Sequence, residues 1–430
     1  MLPVFWLEAA LLSSYSSTSL RIALLGYRSH PHVGGQGIYL HYLSKALVDL
    51  GHQVDLLSGP PYPELDARVN LIKIPSLDLY AHPHPTCALK FRHLFSFADF
   101  YEWWSKLTGA FGEPYCFGRR VFDYFEKNAM NYDVIHDNQC LSYGVLALQE
   151  KYKNLVVTIH HPITQDHQLA LAAAQTKNQR WLINRWYSFV AMQKKVAKEL
   201  QNIITVSEQS KSDIQQAFAV DEKNISVIGC GVDTTIFSPQ PAIARKAFRL
   251  ISTASSDQPL KGLSILLNAL NRLKKEFTNL ELIVIGKLKE NGDSEKELIH
   301  LGLQDKVKFI SGISTADLVL EYGQASIAVV PSLYEGFGLP AAEALACGIP
   351  LICSDGGALP EVVGSAAMMV KAGDVEQLVE AVRLLLTNPA LAEEYSSKGR
   401  QHSLQQLSWE TIAVKMVDYY KEMIEKQTPP

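Results

Sequence analysis

A four-residue apolar run, Ile327–Val330, leads into Ser332-Leu-Tyr-Glu-Gly-Phe-Gly-Leu-Pro340 and then into Ala341-Ala-Glu-Ala-Leu-Ala-Cys347. A short apolar run bounded by turn residues reads as a parallel strand buried on both faces. Gly336 and Gly338 let the backbone turn tightly and leave its amides uncovered. Pro340 suits the first turn of a helix, where its missing N–H costs nothing. The stretch is therefore strand, loop, helix, and the helix N-terminus is suited to an oxygen-rich anion. Glu335 lies in the loop and Glu343 about two turns into the helix, near the same face. Two carboxylates so placed can accept hydrogen bonds from hydroxyls of one long ligand. The plain alternative is a helix cap with a solvated glutamate.

The same alternation runs through the chain. Short apolar strands are expected at 21–25, 54–57, 69–74, 134–136, 155–159 and 203–206, with a helix over 37–50 and helical stretches between most of the others. A second set begins near Phe248, with strands at 250–253, 280–285, 307–310, 327–330 and 351–354. Its helices are expected at 262–276, 317–324, 341–347 and 375–386. Strands alternating with helices imply α/β units with parallel sheets covered on both faces. The glycines and prolines of Gly229-Cys-Gly-Val-Asp-Thr-Thr-Ile-Phe-Ser-Pro-Gln-Pro241 are hinge chemistry. The expected division is a disordered leader at 1–20, a first domain at 21–228, a hinge at 229–246, a second domain at 247–408 and a terminal helix at 409–430. An upstream translation start is the other account of the leader. It carries no basic residue before Arg21, against a secretory signal.

Length and composition fit this division. The chain has 430 residues, long for one core. Its formal net charge of −4 gives no argument for nucleic acid. Six scattered cysteines without a Cys-x-x-Cys pair argue against zinc and against a disulfide framework. No run of 18 apolar residues is present to span a bilayer.

Three further places carry chemistry. Gly34-Gly-Gln-Gly37 follows the first strand, and its glycines, Gly35 and Gly37 among them, allow close approach of backbone to a bound group. A dinucleotide fingerprint is the competing reading, with Asp55 near the ribose position, but the spacing is Gly-Gly-x-Gly and the loop from Gly26 is too long. Val156-Val-Thr-Ile-His-His-Pro162 ends a strand on His160 and His161, and His136 ends another. Residues at the carboxyl end of a parallel strand point into the ligand crevice. Lys261 precedes a helix at Gly262, where charge and amides can clamp a diphosphate together.

The segment around Glu335, continued through Ser354-Asp-Gly-Gly-Ala-Leu-Pro-Glu-Val-Val-Gly364, resembles the donor-binding signature of the retaining glycosyltransferases of family four. That resemblance implies the GT-B fold, two Rossmann-like domains facing each other across a cleft. It implies a hexose moved from a nucleotide sugar, UDP- or GDP-linked, to an acceptor hydroxyl with retention, without metal or other cofactor. The terminal helix would cross back to the first domain. His160 matches the family's active-site histidine, Glu335 its sugar-contacting glutamate and Lys261 its lysine. Gly336, Phe337, Gly338, Leu339 and Glu343 match its donor loop and helix; Gly286 and Gly312 end strands whose loops hold the base through backbone. Glu361 resembles a position near that loop. The sequence departs at Ser255, where the family has arginine, so either Lys261 works with amides alone or another cation, Arg28 or Lys287, takes part. A nucleotide-sugar epimerase, a phosphorylase and a noncatalytic sugar-nucleotide sensor are the rival readings.

Two segments of the first half look adhesive. Residues 91–104 hold seven aromatic side chains beside Lys90, Arg92 and Lys106. Residues 175–198 carry six basic residues with Trp181 and Trp186, and no acid lies between His167 and Lys198. Such segments suit a peripheral membrane contact, and they also suit ordinary helices with buried tryptophans. The expectation is a cytoplasmic enzyme at the inner face of a membrane, acting on a lipid or glycan acceptor.

Overall fold

The computed structural model describes residues 19–426 apart from 31–34, 80, 82–83, 85–87, 129 and 255–256. The leader up to residue 18, Gly34 and Ser255 thus lie outside the described residues. The chain separates into two units. One comprises Met1–Thr205, Lys211–Ile228 and Ala413–Pro430; the other comprises Val206–Ser210 and Gly229–Ile412.

The first unit is built on seven strands: β1 (Arg21–Gly26), β2 (Gln53–Ser58), β3 (Asn70–Lys73), β4 (Val134–Asn138), β5 (Leu155–Thr158), β6 (Ile203–Thr205) and β7 (Ile225–Val227). They form one sheet in the order β3-β2-β1-β4-β5-β6-β7, parallel throughout. The second unit has β8 (Arg249–Thr253), β9 (Glu281–Ile285), β10 (Val307–Ile310), β11 (Ile327–Val330), β12 (Leu351–Ser354) and β13 (Met368–Val370). Their order is β10-β9-β8-β11-β12-β13, again all parallel. Both units are Rossmann-like, and the architecture is the α/β, GT-B class implied by the resemblance.

The inner strands read as they do because helices cover both faces. Every residue of β5, β11 and β12 is buried, so nothing but apolar or hydrogen-bonded side chains is tolerated there. Helix Leu263–Leu273 lays Leu263, Leu266, Leu270 and Leu273 on one stripe against β8 and β9, with Leu378, Val382 and Leu385 of helix Val375–Thr387 beside them. Each fully buried leucine contributes about 2 kcal/mol of transfer free energy. Strand β4 is the exception in content, since His136, Asp137 and Asn138 are as buried as Val134 and Ile135.

Each sheet has one point where the winding reverses. Strand β1 lies between β2 and β4, with Leu24 opposite both Leu56 and His136. Strand β8 lies between β9 and β11. At such a point the connections leave in opposite directions and open a crevice at the carboxyl ends of the strands.

Candidate functional site

In the second unit the reversal point gathers Lys261 and Glu335. Pro259–Lys261 forms one tight turn, and Gly262 closes it with φ +67°. A Cβ on Gly262 would stand 1.9 Å from the Pro331 carbonyl oxygen, so this turn rests directly on the end of β11. Leu333 N–H donates to the Leu260 carbonyl at 2.8 Å and ties the two loops. The result sets Lys261 Nζ 2.8 and 3.1 Å from the two oxygens of Glu335. Ser332 Oγ donates to Glu335 Oε1 at 2.8 Å. The Glu335 carboxylate is nearly enclosed and the lysine about a third exposed, so the pair keeps its cation toward solvent.

The loop after Glu335 is supported from below by Gly356 and Gly357. A Cβ at either would sit 2.3 Å from a carbonyl oxygen, of Ser332 or of Glu335, and Ala358 N–H donates to the Glu335 carbonyl. Gly338, at φ +101°, starts helix Leu339–Ala346. Gly336 offers its carbonyl to Ser207 Oγ and Ser210 Oγ, both in this unit, at 2.9 and 3.1 Å. Phe337 is buried against Gly229 and acts as a packing side chain. Leu339 is half-buried. Glu343 lies in the helix with Tyr322 as hydrogen-bond partner, and burial pushes its carboxyl up to about 8, against the lowering effect of that bond.

The remaining donor-side positions are separate from this group. The Gly286 N–H donates to the Ile310 carbonyl at 2.8 Å, so its amide belongs to the sheet. Gly312 adopts φ +69° with nothing within 4 Å of a would-be Cβ. Glu361 receives the amides of Glu208 and Gln209 at 2.7 and 3.0 Å, capping the start of helix Glu208–Phe218. Arg28, one of the two substitute cations, is engaged by Glu113 at 3.3 Å.

In the first unit the reversal point carries a polar network on His160. Asp137 Oδ2 accepts from the amides of Cys140 and Leu141 at 2.9 and 3.3 Å, and burial raises this carboxyl to about 7. That bend forces positive φ on Gln139 and Leu141. It turns Asn138 and Gln139 toward the end of β5. Gln139 accepts from the His160 amide at 2.8 Å and donates to the His161 carbonyl at 2.9 Å. Asn138 Nδ2 donates to the Gln36 carbonyl at 3.2 Å, which aims Oδ1 at His160 Nε2, 2.8 Å away. Nε2 therefore carries the hydrogen, and Nδ1 is the acceptor. Burial first, then the neighbouring histidines, push the imidazole down to about 3, so it is neutral. Tyr39 meets the ring edge-on at 4.7 Å.

Gly35 opens helix Gly35–Asp49 with nothing near a would-be Cβ. At Gly37 that atom would lie 2.2 Å from the His30 carbonyl oxygen, so the glycine accommodates the chain's own backbone. His136 does not reach the ligand end. It is fully buried between Tyr420 and Thr158, 2.6 Å from each hydroxyl. Asn138, Gln139, Ser332 and Tyr322 were not singled out by sequence. For the first two the signal was present: polar residues directly continuing an apolar strand.

Residues 237–402 match the family model for glycosyl transferases group 1, and residues 33–236 match that for glycosyltransferase family 4. An "MMP alpha-(1->4)-mannosyltransferase" of Mycolicibacterium hassiacum is 43% identical over 413 residues, covering 94% of this chain and 98% of that protein. The chain is a group 1 glycosyltransferase. A glycogen synthase of Mycobacterium tuberculosis is 25% identical, over 93% of this glycosyltransferase and 94% of that protein. Among solved structures, a sucrose-phosphate synthase from Thermosynechococcus elongatus superposes with TM-score 0.67 at 23% identity, covering 95% of this chain and all (100%) of that one. Anabaena HepE in complex with UDP-glucose gives 0.65 at 16% identity, with 94% and 100% covered. At those identities the likeness to solved structures speaks for the fold alone.

Proposed function

We propose that this glycosyltransferase moves a mannosyl residue, with retention, from a nucleoside-diphosphate mannose to a glycan hydroxyl, forming an α-(1→4) link. The observation that carries the reading is the Lys261–Glu335 pair at the carboxyl ends of β8 and β11. The mannosyltransferase relative, similar along nearly the whole chain, narrows the sugar and the linkage. The UDP-glucose named with HepE supports a nucleotide sugar as donor class.

In this reading the donor separates the ion pair. Its diphosphate takes over Lys261, and Glu335 is released to accept hydrogen bonds from the sugar. The amides that open helix Leu339–Ala346 add partial positive charge where the leaving group gains negative charge. Glu343 receives ribose hydroxyls. His160, neutral with Nδ1 as acceptor, takes a hydrogen bond from a sugar hydroxyl. The anomeric C–O bond to phosphate breaks as the acceptor oxygen bonds on the same face, and the acceptor's proton passes to a phosphate oxygen. Charge is met by Lys261 and amides, so the reading includes no metal and no cofactor beyond the co-substrate. GDP- and UDP-linked sugars remain the two donor choices.

Turnover with GDP-mannose and UDP-glucose, each offered with a mannoside acceptor in excess EDTA, tests the assignment. Product is expected with the mannosyl donor, in an α-linkage by NMR. Lys261→Ala should lower turnover roughly a thousandfold, the scale of losing one charged partner of the leaving group. Glu335→Ala should depress turnover far more than binding of the bare nucleoside diphosphate. Absence of transfer from every nucleotide sugar would overturn the reading; a Lys261→Ala enzyme within about tenfold of the parent would give the phosphate to another cation.

A further inference from the structure

Helix Phe97–Leu107 is inside out. Its buried residues are Ala98, Glu102 and Ser105, at helical spacings of four and three. Most of its large apolar side chains point outward: Phe97 is 63% exposed, Trp104 47% and Leu107 47%, while Trp103 packs against Leu77, Leu79 and Ala88. A helix of a soluble domain ordinarily reverses this arrangement. The cause lies underneath, where Arg120 binds Asp99 and Glu102 at 2.5 Å each and so fixes the polar stripe inward. Just before the helix, Phe91 and Phe95 are exposed and meet edge to face at 5.4 Å.

A second helix continues the surface. Arg185 of Lys177–Trp186 donates to Thr108 Oγ1 at 2.7 Å, and Trp186 stacks on Phe111 at 5.3 Å. That helix buries none of its residues completely and turns Trp181 and Leu182 to solvent. The reading of this segment as an ordinary helix with buried tryptophans therefore does not hold for Trp181. Both elements sit in connections that leave carboxyl ends of strands, one after β3 and one after β5. An exposed apolar surface of this extent marks an interaction site.

We infer that this face docks on an anionic lipid surface. Charge selects the occupant. Lys177 and Arg180 are exposed beside Trp181, within the acid-free stretch from His167 to Lys198. The acids of the patch are already met, Asp99 and Glu102 by Arg120 and Glu113 by Arg28. Aromatic and leucine side chains flanked by uncompensated cations match the headgroup–acyl boundary of a negatively charged bilayer. A glycan calls for polar groups beside the rings, and phenylalanine and leucine supply none. A second copy of the chain would bring together two basic surfaces whose acids are already engaged. The inference goes beyond sugar transfer and does not depend on it.

Co-sedimentation of the full-length enzyme with vesicles decides the matter. Binding is expected to equimolar phosphatidylcholine and phosphatidylglycerol, absent with phosphatidylcholine alone, and weakened by salt. Tryptophan emission should shift to the blue on binding. Lys177→Ala with Arg180→Ala should lower partitioning about twenty-five-fold, at about fivefold per basic residue. Phe95→Ser with Trp104→Ser should abolish it while the thermal midpoint and turnover on a soluble mannoside stay those of the parent. Should that aromatic variant fold poorly, the charge variant carries the test. No sedimentation at low salt with anionic lipid overturns the inference. So does an aromatic variant that instead dissociates a dimer in light scattering or raises KM for an oligosaccharide acceptor.

Discussion

At the scale of single residues, the site depends on ionisable groups held away from their ordinary behaviour. Glu343 shows this most simply. In the unfolded chain its carboxyl titrates near 4.5, and in the folded protein burial moves it up to about 8. Between those values the native state keeps a proton that the unfolded state has released. Stability therefore falls as pH rises through this window and levels off above it. Glu343→Gln removes the titration and retains an acceptor for Tyr322. The melting temperature of the parent should drop more steeply from pH 5 to pH 8 than that of the variant, as scanning calorimetry can record. Parallel curves would mean that Glu343 is ionised without ligand. The residue type and its helical position were legible in the sequence, because Gly338 and Pro340 announce the helix start. The pairing of Lys261 with Glu335 was not. They stand 74 residues apart, and the packing of Gly262 on Pro331, with the Leu333–Leu260 backbone hydrogen bond, brings their loops into register.

At the scale of elements, legibility followed burial and length. Strands β11 and β12 are buried apolar runs bounded by breakers, and the sequence located each at its observed limits. Strands β7 and β13 have three residues each and finish their sheets at an edge, where too few side chains face a core to leave a pattern. Helix Pro389–His402 was missed because its buried positions are Ser396 and Gly399, which carry no apolar period. Glycines, too, separate by context. Gly262 combines φ +67° with a backbone oxygen 1.9 Å from the missing Cβ, whereas Gly312 has φ +69° and open space. Gly312→Ala should cost only the left-handed strain, about 1–2 kcal/mol. Gly262→Ala adds a clash with rigid backbone, must displace the Lys261 turn, and should lose both several degrees of melting temperature and most turnover. Equal effects of the two alanines on stability and rate would show that the turn carrying Lys261 yields easily.

At the scale of the whole chain, the C-terminal helix Trp409–Glu425 belongs to both ends of the sequence. Trp409 lies against Gly231 in the second unit, and from Ala413 onward the helix is counted with the first. Ala413, Met416, Val417, Tyr420 and Met423 are buried, so this last stretch is core. Among its polar anchors is the Tyr420 hydroxyl, 2.6 Å from His136 Nδ1, while His136 Nε2 meets Thr158 Oγ1. Burial lowers the His136 imidazole to about 3, against 6.5 when unfolded. The sign is opposite to that of Glu343. As pH falls below 6.5 the unfolded chain gains a proton the native state refuses, and stability drops until about pH 3. Tyr420→Phe leaves a buried ring nitrogen without its partner and should cost about 1–3 kcal/mol at neutral pH. His136→Asn should flatten the acid limb of the stability curve as well as lower its height. Urea melts of both variants at pH 7 and pH 5 separate the two effects. A His136→Asn protein that loses as much stability between those pH values as the parent would show that the histidine is already charged in the fold.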